Sequence, residues 1–318
     1  MTALFRHALP QRDPHRLYLT DGGIETTLIF VDGLDLPYFA AFHLMRSDTG
    51  RAALKRYFRR YADLARDHAA GLILESATWR ASRDWGQLLG YAATELDAVN
   101  RAAIAMLEQV RGEYESAVDP IVISGCVGPR GDGYVPTHAM TATQAADYHA
   151  AQIATFADSA ADMVTAITMN YVEEAIGVVQ AARTHAMPCA ISFTVETDGR
   201  LPTGQPLAEA IAEVDGESAA YPAYYMVNCA HPSHFDHVLE RDATWTSRIQ
   251  GVRANASRMS HAELNEAAEL DAGDPDELGR DYVALKARLP RANVFGGCCG
   301  TDHRHVDAMA RECRPSFR

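Results

Sequence analysis

No stretch of the 318 residues approaches the ~20 unbroken apolar positions that a membrane span needs. Positive charge is also in short supply: 29 lysines and arginines stand against 42 aspartates and glutamates, a formal net charge of −13. A surface that acidic repels phosphate backbones and anionic lipid headgroups, so neither nucleic acid nor membrane is expected as the main partner. The opening segment MTALFRHALPQRDPHR is basic but has no long apolar core and no clear cleavage site, so it does not read as a secretion signal. Cysteine is sparse: six in a chain this long do not form the framework of a small secreted protein. In a reducing cytoplasm they are expected to be core thiols or metal ligands. The chain also lacks internal repeats and low-complexity linkers. What is present is a 47% hydrophobic composition, enough to bury a full core in a soluble cytoplasmic protein.

Short β-rich apolar runs alternate with Ala-rich segments of helical period. Strands are expected near Leu17–Thr20, Gly71–Glu75, Pro120–Ser124, Met163–Thr168, Pro188–Phe193, Tyr224–Asn228, Arg248–Arg253 and Asn293–Phe295. Helices are expected over Arg51–His68, Glu95–Tyr114, Ala142–Ala160, Val172–Thr184 and Pro275–Leu289, the last preceded by the loop-like insertion DAGDPDELG. Eight such strands fit the α/β class as a closed (β/α)8 TIM barrel, with a doubly wound sheet plus a small second domain as the alternative. The expectation is one barrel domain over 1–318 with a short N-terminal arm, 1–16.

In such a barrel, chemistry gathers at the C-terminal ends of the strands. Those ends carry Asp21-Gly22-Gly23, Glu75-Ser76-Ala77-Thr78-Trp79, Gly125-Cys126, Thr168 with Asn170, Ser192 with Thr194 and Glu196, Asn228-Cys229, Asn255 and Gly296–Gly300. The sharpest motif is GGCCGT at Gly296–Thr301. Two adjacent cysteines can reach one metal if the backbone turns sharply between flexible glycines. Cys229, also at a strand end, could supply a third thiolate and leave a fourth position open, the pattern of a catalytic zinc site. Three ordinary buried cysteines around a tight turn is the other reading of the same residues.

DGGIETTL at Asp21–Leu28, NCAHP at Asn228–Pro232 and GGCCGT together resemble the homocysteine S-methyltransferase family, in the same order and over nearly the whole chain. The resemblance implies a (β/α)8 barrel that methylates the sulfur of homocysteine to give methionine. It implies Zn2+ held by Cys229, Cys298 and Cys299. Asp21 matches the aspartate that contacts the ammonium of the amino acid, with Gly22 and Gly23 allowing close approach. Glu75, Ser76 and Asn228 are expected to complete the acceptor site, and Trp79 to cover the donor. One departure stands out. Relatives carry a Glu-Thr pair at the end of strand four, whereas this chain reads AITMNY, with Thr168 near the expected glutamate. A carboxylate is then missing unless Glu75 or Glu196 replaces it, which puts the acceptor in question and leaves the zinc site intact.

The ligand set suits a sulfur nucleophile. Three thiolates overbalance the charge of Zn2+, so a fourth bound sulfur stays electron-rich, whereas three histidines would favour activated water. The partners expected are a small thiol acceptor and a methyl donor such as S-methylmethionine, S-adenosylmethionine, a betaine, or a methyl group carried on folate or cobalamin. A methyltransferase for another thiol or selenol, and a zinc-thiolate binding or sensing protein without turnover, are the rival functions. Cys126, Cys189 and Cys313 are expected as packing thiols, GCVGPRGDG as a flexible loop at the mouth, and His303 and His305 as solvated residues at a helix start. No feature of the sequence separates an exposed helix face from an oligomer interface.

Overall fold

The computed structural model describes residues 2–137, 139–267 and 269–317. Eight parallel strands close in chain order into a barrel, β8 returning to pair with β1. They are β1 (Tyr18–Leu19), β2 (Gly71–Glu75), β3 (Ile121–Val127), β4 (Met163–Met169), β5 (Cys189–Thr194), β6 (Tyr224–Asn228), β7 (Ile249–Ala254) and β8 (Val294–Gly297). β2 and β6 have the bounds expected from the sequence. β3 runs three residues further than expected because its strand pairing with β4 continues through Val127↔Ala166.

Alternation along each strand sorts the side chains into two cores. Leu19, Leu72, Leu74, Ile121, Ile123, Val164, Ile191 and Val252 face outward into the layer shared with the helices. Tyr18, Ile73, Val122, Met163, Tyr224, Met226 and Val294 point inward and fill the lower barrel, where Leu9 and Phe5 of the N-terminal arm pack against them. The same alternation, carried two to four residues further up, turns Glu75, Cys126, Thr165, Ser192, Asn228 and Arg253 inward as a polar upper layer.

Helices Asp48–Asp67, Ala93–Tyr114, Ala142–Ala157, Val172–Thr184, Leu207–Ser218, Pro275–Arg288 and His303–Cys313 form the outer ring. Their starts are chemically marked. The Ser47 hydroxyl accepts from Gly50 N at 3.0 Å, and Thr141 and Gln144 make a reciprocal capping box. The HPSHFDH segment between β6 and β7 folds as a single turn, Pro232–Phe235, and a short 3₁₀ turn, because proline opens it and His231 and His234 are buried inside it. No helix among the described residues is long and apolar enough to cross a membrane.

Candidate active site

The C-terminal ends of the strands open into a cavity of about 420 Å³ lined by Asp21, Glu25, Glu75, Trp79, Arg253 and the three motif cysteines, among others. The Sγ atoms of Cys229, Cys298 and Cys299 lie within 4.8 Å of one another. Cys229 and Cys298 are paired as a disulfide, their Cα atoms 5.4 Å apart, while Cys299 is a free thiol exposed to the cavity.

Two backbone features bring these sulfurs together. Cys229 follows β6 with φ +53°, in the left-handed region that costs a non-glycine residue about 1–3 kcal/mol and persists only where neighbours enforce it. Its N–H donates to Arg253 O at 3.1 Å, and Asn228 beside it is locked in place. The Asn228 Oδ1 accepts from Thr168 N at 3.0 Å and from Ser192 Oγ at 2.6 Å, and its Nδ2 donates to Thr168 Oγ1 at 2.8 Å. Asn228 is fully buried, spends these bonds on β4 and β5, and is not among the residues lining the cavity. At the other strand end, Gly300 takes φ +79° and turns the chain after Cys299. Gly23 lies so close to the cysteine loop that a Cβ would sit 2.5 Å from Cys298 O, which makes it a packing requirement between β1 and that loop. Gly22 lines the cavity, and its carbonyl accepts from Tyr57 Oη at 3.0 Å.

The carboxylates divide by partner. Asp21 accepts from Tyr57 Oη at 2.8 Å through Oδ2, and its Oδ1 is 2.5 Å from Arg253 Nη2. Glu75 is buried, its Oε2 has no hydrogen-bond partner, and burial pushes its carboxyl up to about 7 against the opposing pull of Arg253, Ser124 and Thr165. Burial likewise raises Glu25, which is partly open to the cavity, to about 7. Glu196 does not line the cavity and meets His261 Nδ1 at 3.1 Å, while His261 Nε2 lies 2.5 Å from Cys229 O. Thr168, near the place of the expected strand-four glutamate, has φ +66° and sits with Oγ1 3.9 Å from Cys229 Sγ. Of the two replacement carboxylates considered, Glu75 is therefore the one the fold brings to the site.

Ser76 lines the cavity, but its hydroxyl is engaged by Thr78 Oγ1 at 2.6 Å and by Cys126 N at 3.0 Å. Trp79 also lines it, donating through Nε1 to Ile167 O at 3.1 Å. The Arg80 guanidinium lies 4.3 Å from the centroid of the Trp79 ring, so that indole already carries a cation.

Residues 18–313 match the family model described as homocysteine S-methyltransferase. The chain belongs to the homocysteine S-methyltransferase family. Homocysteine S-methyltransferase 4 of Zea mays is 23% identical over 262 residues, spanning 76% of this chain and 75% of the relative. Homocysteine S-methyltransferase 1 of Arabidopsis thaliana is 19% identical over 316 residues, spanning 93% of each. Crystal structures of the Escherichia coli homocysteine methyltransferase MmuM share the fold. The oxidised form has a TM-score of 0.73 at 17% identity, covering 97% of this chain and 99% of that one. The metallated form has a TM-score of 0.68 at 18% identity, covering 93% and 96%.

Within this S-methyltransferase barrel, several residues escaped the sequence reading. Arg253 was visible only as part of a strand, although an arginine in the inward register of an otherwise apolar run was a signal. Tyr134 reaches in from the loop after β3, with Oη 3.5 Å from Cys299 Sγ and its ring 4.3 Å from that of His261. Cys126, Cys189 and Cys313 are all buried, and Cys126 also lines the cavity. His305 corrects the expectation of a solvated residue. It is fully buried, with Nδ1 3.0 Å from Asp302 N and Nε2 2.7 Å from Ala272 O, because Asp302 and His305 form the capping box of the last helix. His303 is half-buried. The GCVGPRGDG loop is tied down, Arg130 Nε meeting Asp84 Oδ2 at 2.7 Å and Arg80 donating to Gly131 O at 3.1 Å.

Proposed function

We propose that this protein transfers a methyl group from a small cationic donor to the thiolate of homocysteine, giving methionine, with Zn2+ bound by Cys229, Cys298 and Cys299. The observation that carries the reading is the cluster of three motif sulfurs within 4.8 Å of one another, on the wall of a cavity shared with Asp21 and Glu75. The donor set fits the metal. Zinc bonds sulfur at ~2.3 Å, three thiolates with an open position are a catalytic pattern, and reduction of the Cys229–Cys298 pair frees all three ligands. Zinc at this site would keep an added thiol ionised at neutral pH. A reducing cytoplasm is the setting these thiols require.

The protein's own residues then have to hold and align the reactants. Glu75, with one oxygen unpaired, takes the role of ammonium acceptor that Thr168 cannot fill. Asp21 stands beside it. Glu25 adds negative charge on the cavity wall as the pH passes about 7, and exposed Phe30 and Phe39 add aromatic surface there, an environment that favours a sulfonium such as S-methylmethionine or S-adenosylmethionine. In the transfer, a lone pair of the acceptor sulfur forms the new S–CH3 bond while the donor's bond to that carbon breaks. The donor leaves with the electron pair, and the acceptor's thiol proton is released to solvent before the transfer. Much of the rate must come from holding sulfur, carbon and leaving atom in line.

The test pairs metal analysis with turnover. Reduced wild type should hold about one zinc per chain and form methionine from homocysteine and S-methylmethionine. Cys229→Ser should lose most of both. A wild type without zinc, or a zinc-replete and active Cys229→Ser, would remove the chemical basis of the proposal. Use of a thiol other than homocysteine is the second reading, favoured by Thr168.

A further inference from the structure

Arg253 is a buried arginine on the wall of the reaction cavity, 7% exposed, and its surroundings leave part of it without work. Its Nε donates to Gly297 O at 3.2 Å and its Nη2 to Gly22 O at 3.4 Å, with the Asp21 carboxylate beside Nη2. Nη1 has no hydrogen-bond partner among the described residues. One edge of the planar fork is therefore anchored to the ends of β1 and β8, and the other nitrogen is free. The anchors also fix its place relative to the sulfurs, since Gly297 precedes Cys298 and Arg253 O accepts from Cys229 N.

Burying a guanidinium is costly, and one carboxylate could have been avoided by omitting both charges. Asp21 and the neighbouring Glu75 answer the charge of Arg253, but neither accepts a hydrogen bond from its remaining donor. That donor belongs to a cavity also lined by the acids Glu75 and Glu25. A thiol acceptor that is also an α-amino acid carries a carboxylate, and among the described residues Arg253 is the buried cation on the cavity wall with a donor to spare, Arg80 being committed to Trp79 and Trp85 at 4.3 and 3.7 Å. Arginine binds carboxylates through geometrically fixed, charge-assisted donors.

We infer that Arg253 is a specificity-determining residue that binds the carboxylate of the thiol acceptor, opposite the ammonium held at Glu75. The inference rests on the methyl-transfer reading and deepens it. The substrate class is a thiol bearing a carboxylate at its far end. Thr168 is then part of a redistributed site, in which the charges that select the acceptor stand on β2 and β7.

The experiment measures binding of three acceptors to the zinc-loaded protein by calorimetry, without donor. The acceptors are homocysteine, 4-mercaptobutyrate, which lacks the amino group, and 3-aminopropane-1-thiol, which lacks the carboxylate. Arg253→Met should weaken homocysteine and 4-mercaptobutyrate by about 10- to 100-fold and leave 3-aminopropane-1-thiol unchanged or tighter, while Arg253→Lys recovers part of the loss. Because Arg253→Met strands Asp21 without its counter-charge, the double variant Arg253→Met/Asp21→Asn provides a second protein, read by the ratio of affinities for the two truncated thiols. An equal loss across all three acceptors would reduce Arg253 to a positioning residue for Asp21 and overturn the inference. So would unchanged affinities. A wild type that binds none of the thiols would instead defeat the methyl-transfer reading itself, and the inference with it.

Discussion

A carboxyl inside a barrel must either stay neutral or be answered by a cation, and Glu75 is held between these conditions. Burial raises it to about 7, even with Arg253 nearby. Its charge state therefore changes within the pH range of ordinary assays. If it receives the acceptor's ammonium, binding favours the ionised form, and affinity for homocysteine should rise as the pH climbs from about 6 to about 8. Ionisation of the thiol also contributes to that rise, so the comparison has to be made against Glu75→Gln, which keeps the thiol contribution and removes the carboxyl's. The variant should show a shallower pH dependence for homocysteine and an unchanged one for 4-mercaptobutyrate. Equal slopes for the two proteins would take Glu75 out of the ammonium site. Stability carries the same sign information. The folded state keeps a proton on Glu75 that the unfolded chain loses above ~4.5, so stability from this group is full below that pH and is lost as the pH rises through about 7. Glu75→Gln should accordingly melt closer to wild type at pH 4 and compare more favourably with it at pH 8.

At the scale of elements, the cysteine loop is only as well placed as the two strands beneath it. Tyr282, on helix Pro275–Arg288, pushes its hydroxyl between β7 and β8, accepting from Ala254 N at 2.8 Å and donating to Gly296 O at 2.5 Å. It is fully buried, so no water can replace it. Tyr282→Phe leaves a buried N–H and a buried carbonyl short of a partner, at a cost of about 1–3 kcal/mol. The urea midpoint should fall accordingly, and zinc should pass faster to a chelator, because Cys298 lies two residues beyond Gly296. Unchanged stability and zinc release would show that the strand pairing alone places the loop. This contact also marks the limit of what was legible in the sequence. The strands were visible because each is a short apolar run, Cys298 and Cys299 because their glycine neighbours announce a turn, and Cys229 because it follows a strand. Val172–Thr184 was readable to the residue for the same reason: its helical period is local. Tyr282, Arg253 and the Asn228–Thr168 clamp depend on partners between 14 and 231 positions away, which no local pattern carries. His305 was misread because a histidine near a helix start looks solvated until Ala272 closes over it.

At the scale of the whole molecule, the barrel separates chemistry from cohesion by its two ends. The upper end spends buried charge on Asp21, Glu75 and Arg253. The lower end is closed by the N-terminal arm, where one carboxylate gathers several of the attachments. Asp162 is fully buried and accepts from Leu4 N at 2.6 Å, Phe5 N at 2.8 Å, Ile123 N at 2.9 Å and Arg111 Nη1 at 3.0 Å. Arg6 adds donations to Ala157 O, Ser159 O and Ala161 O at 2.9, 3.2 and 2.7 Å. The arm thus fastens Phe5 and Leu9 over the floor of the barrel. Removing the carboxylate strands Arg111, which is itself buried, and a broken buried pair costs about 3–5 kcal/mol. Asp162→Ala should lower the melting temperature by several degrees and expose the arm to limited proteolysis before the rest of the chain. Acceptor affinity at 20 °C should stay at its wild-type value, since Asp162 does not line the reaction cavity. Asp162→Asn, which keeps one acceptor oxygen, should fall between the two proteins in stability. If Asp162→Ala weakened acceptor binding as much as it weakened the fold, the two ends would be energetically coupled. The lower core would then have to be counted among the parts that shape the site.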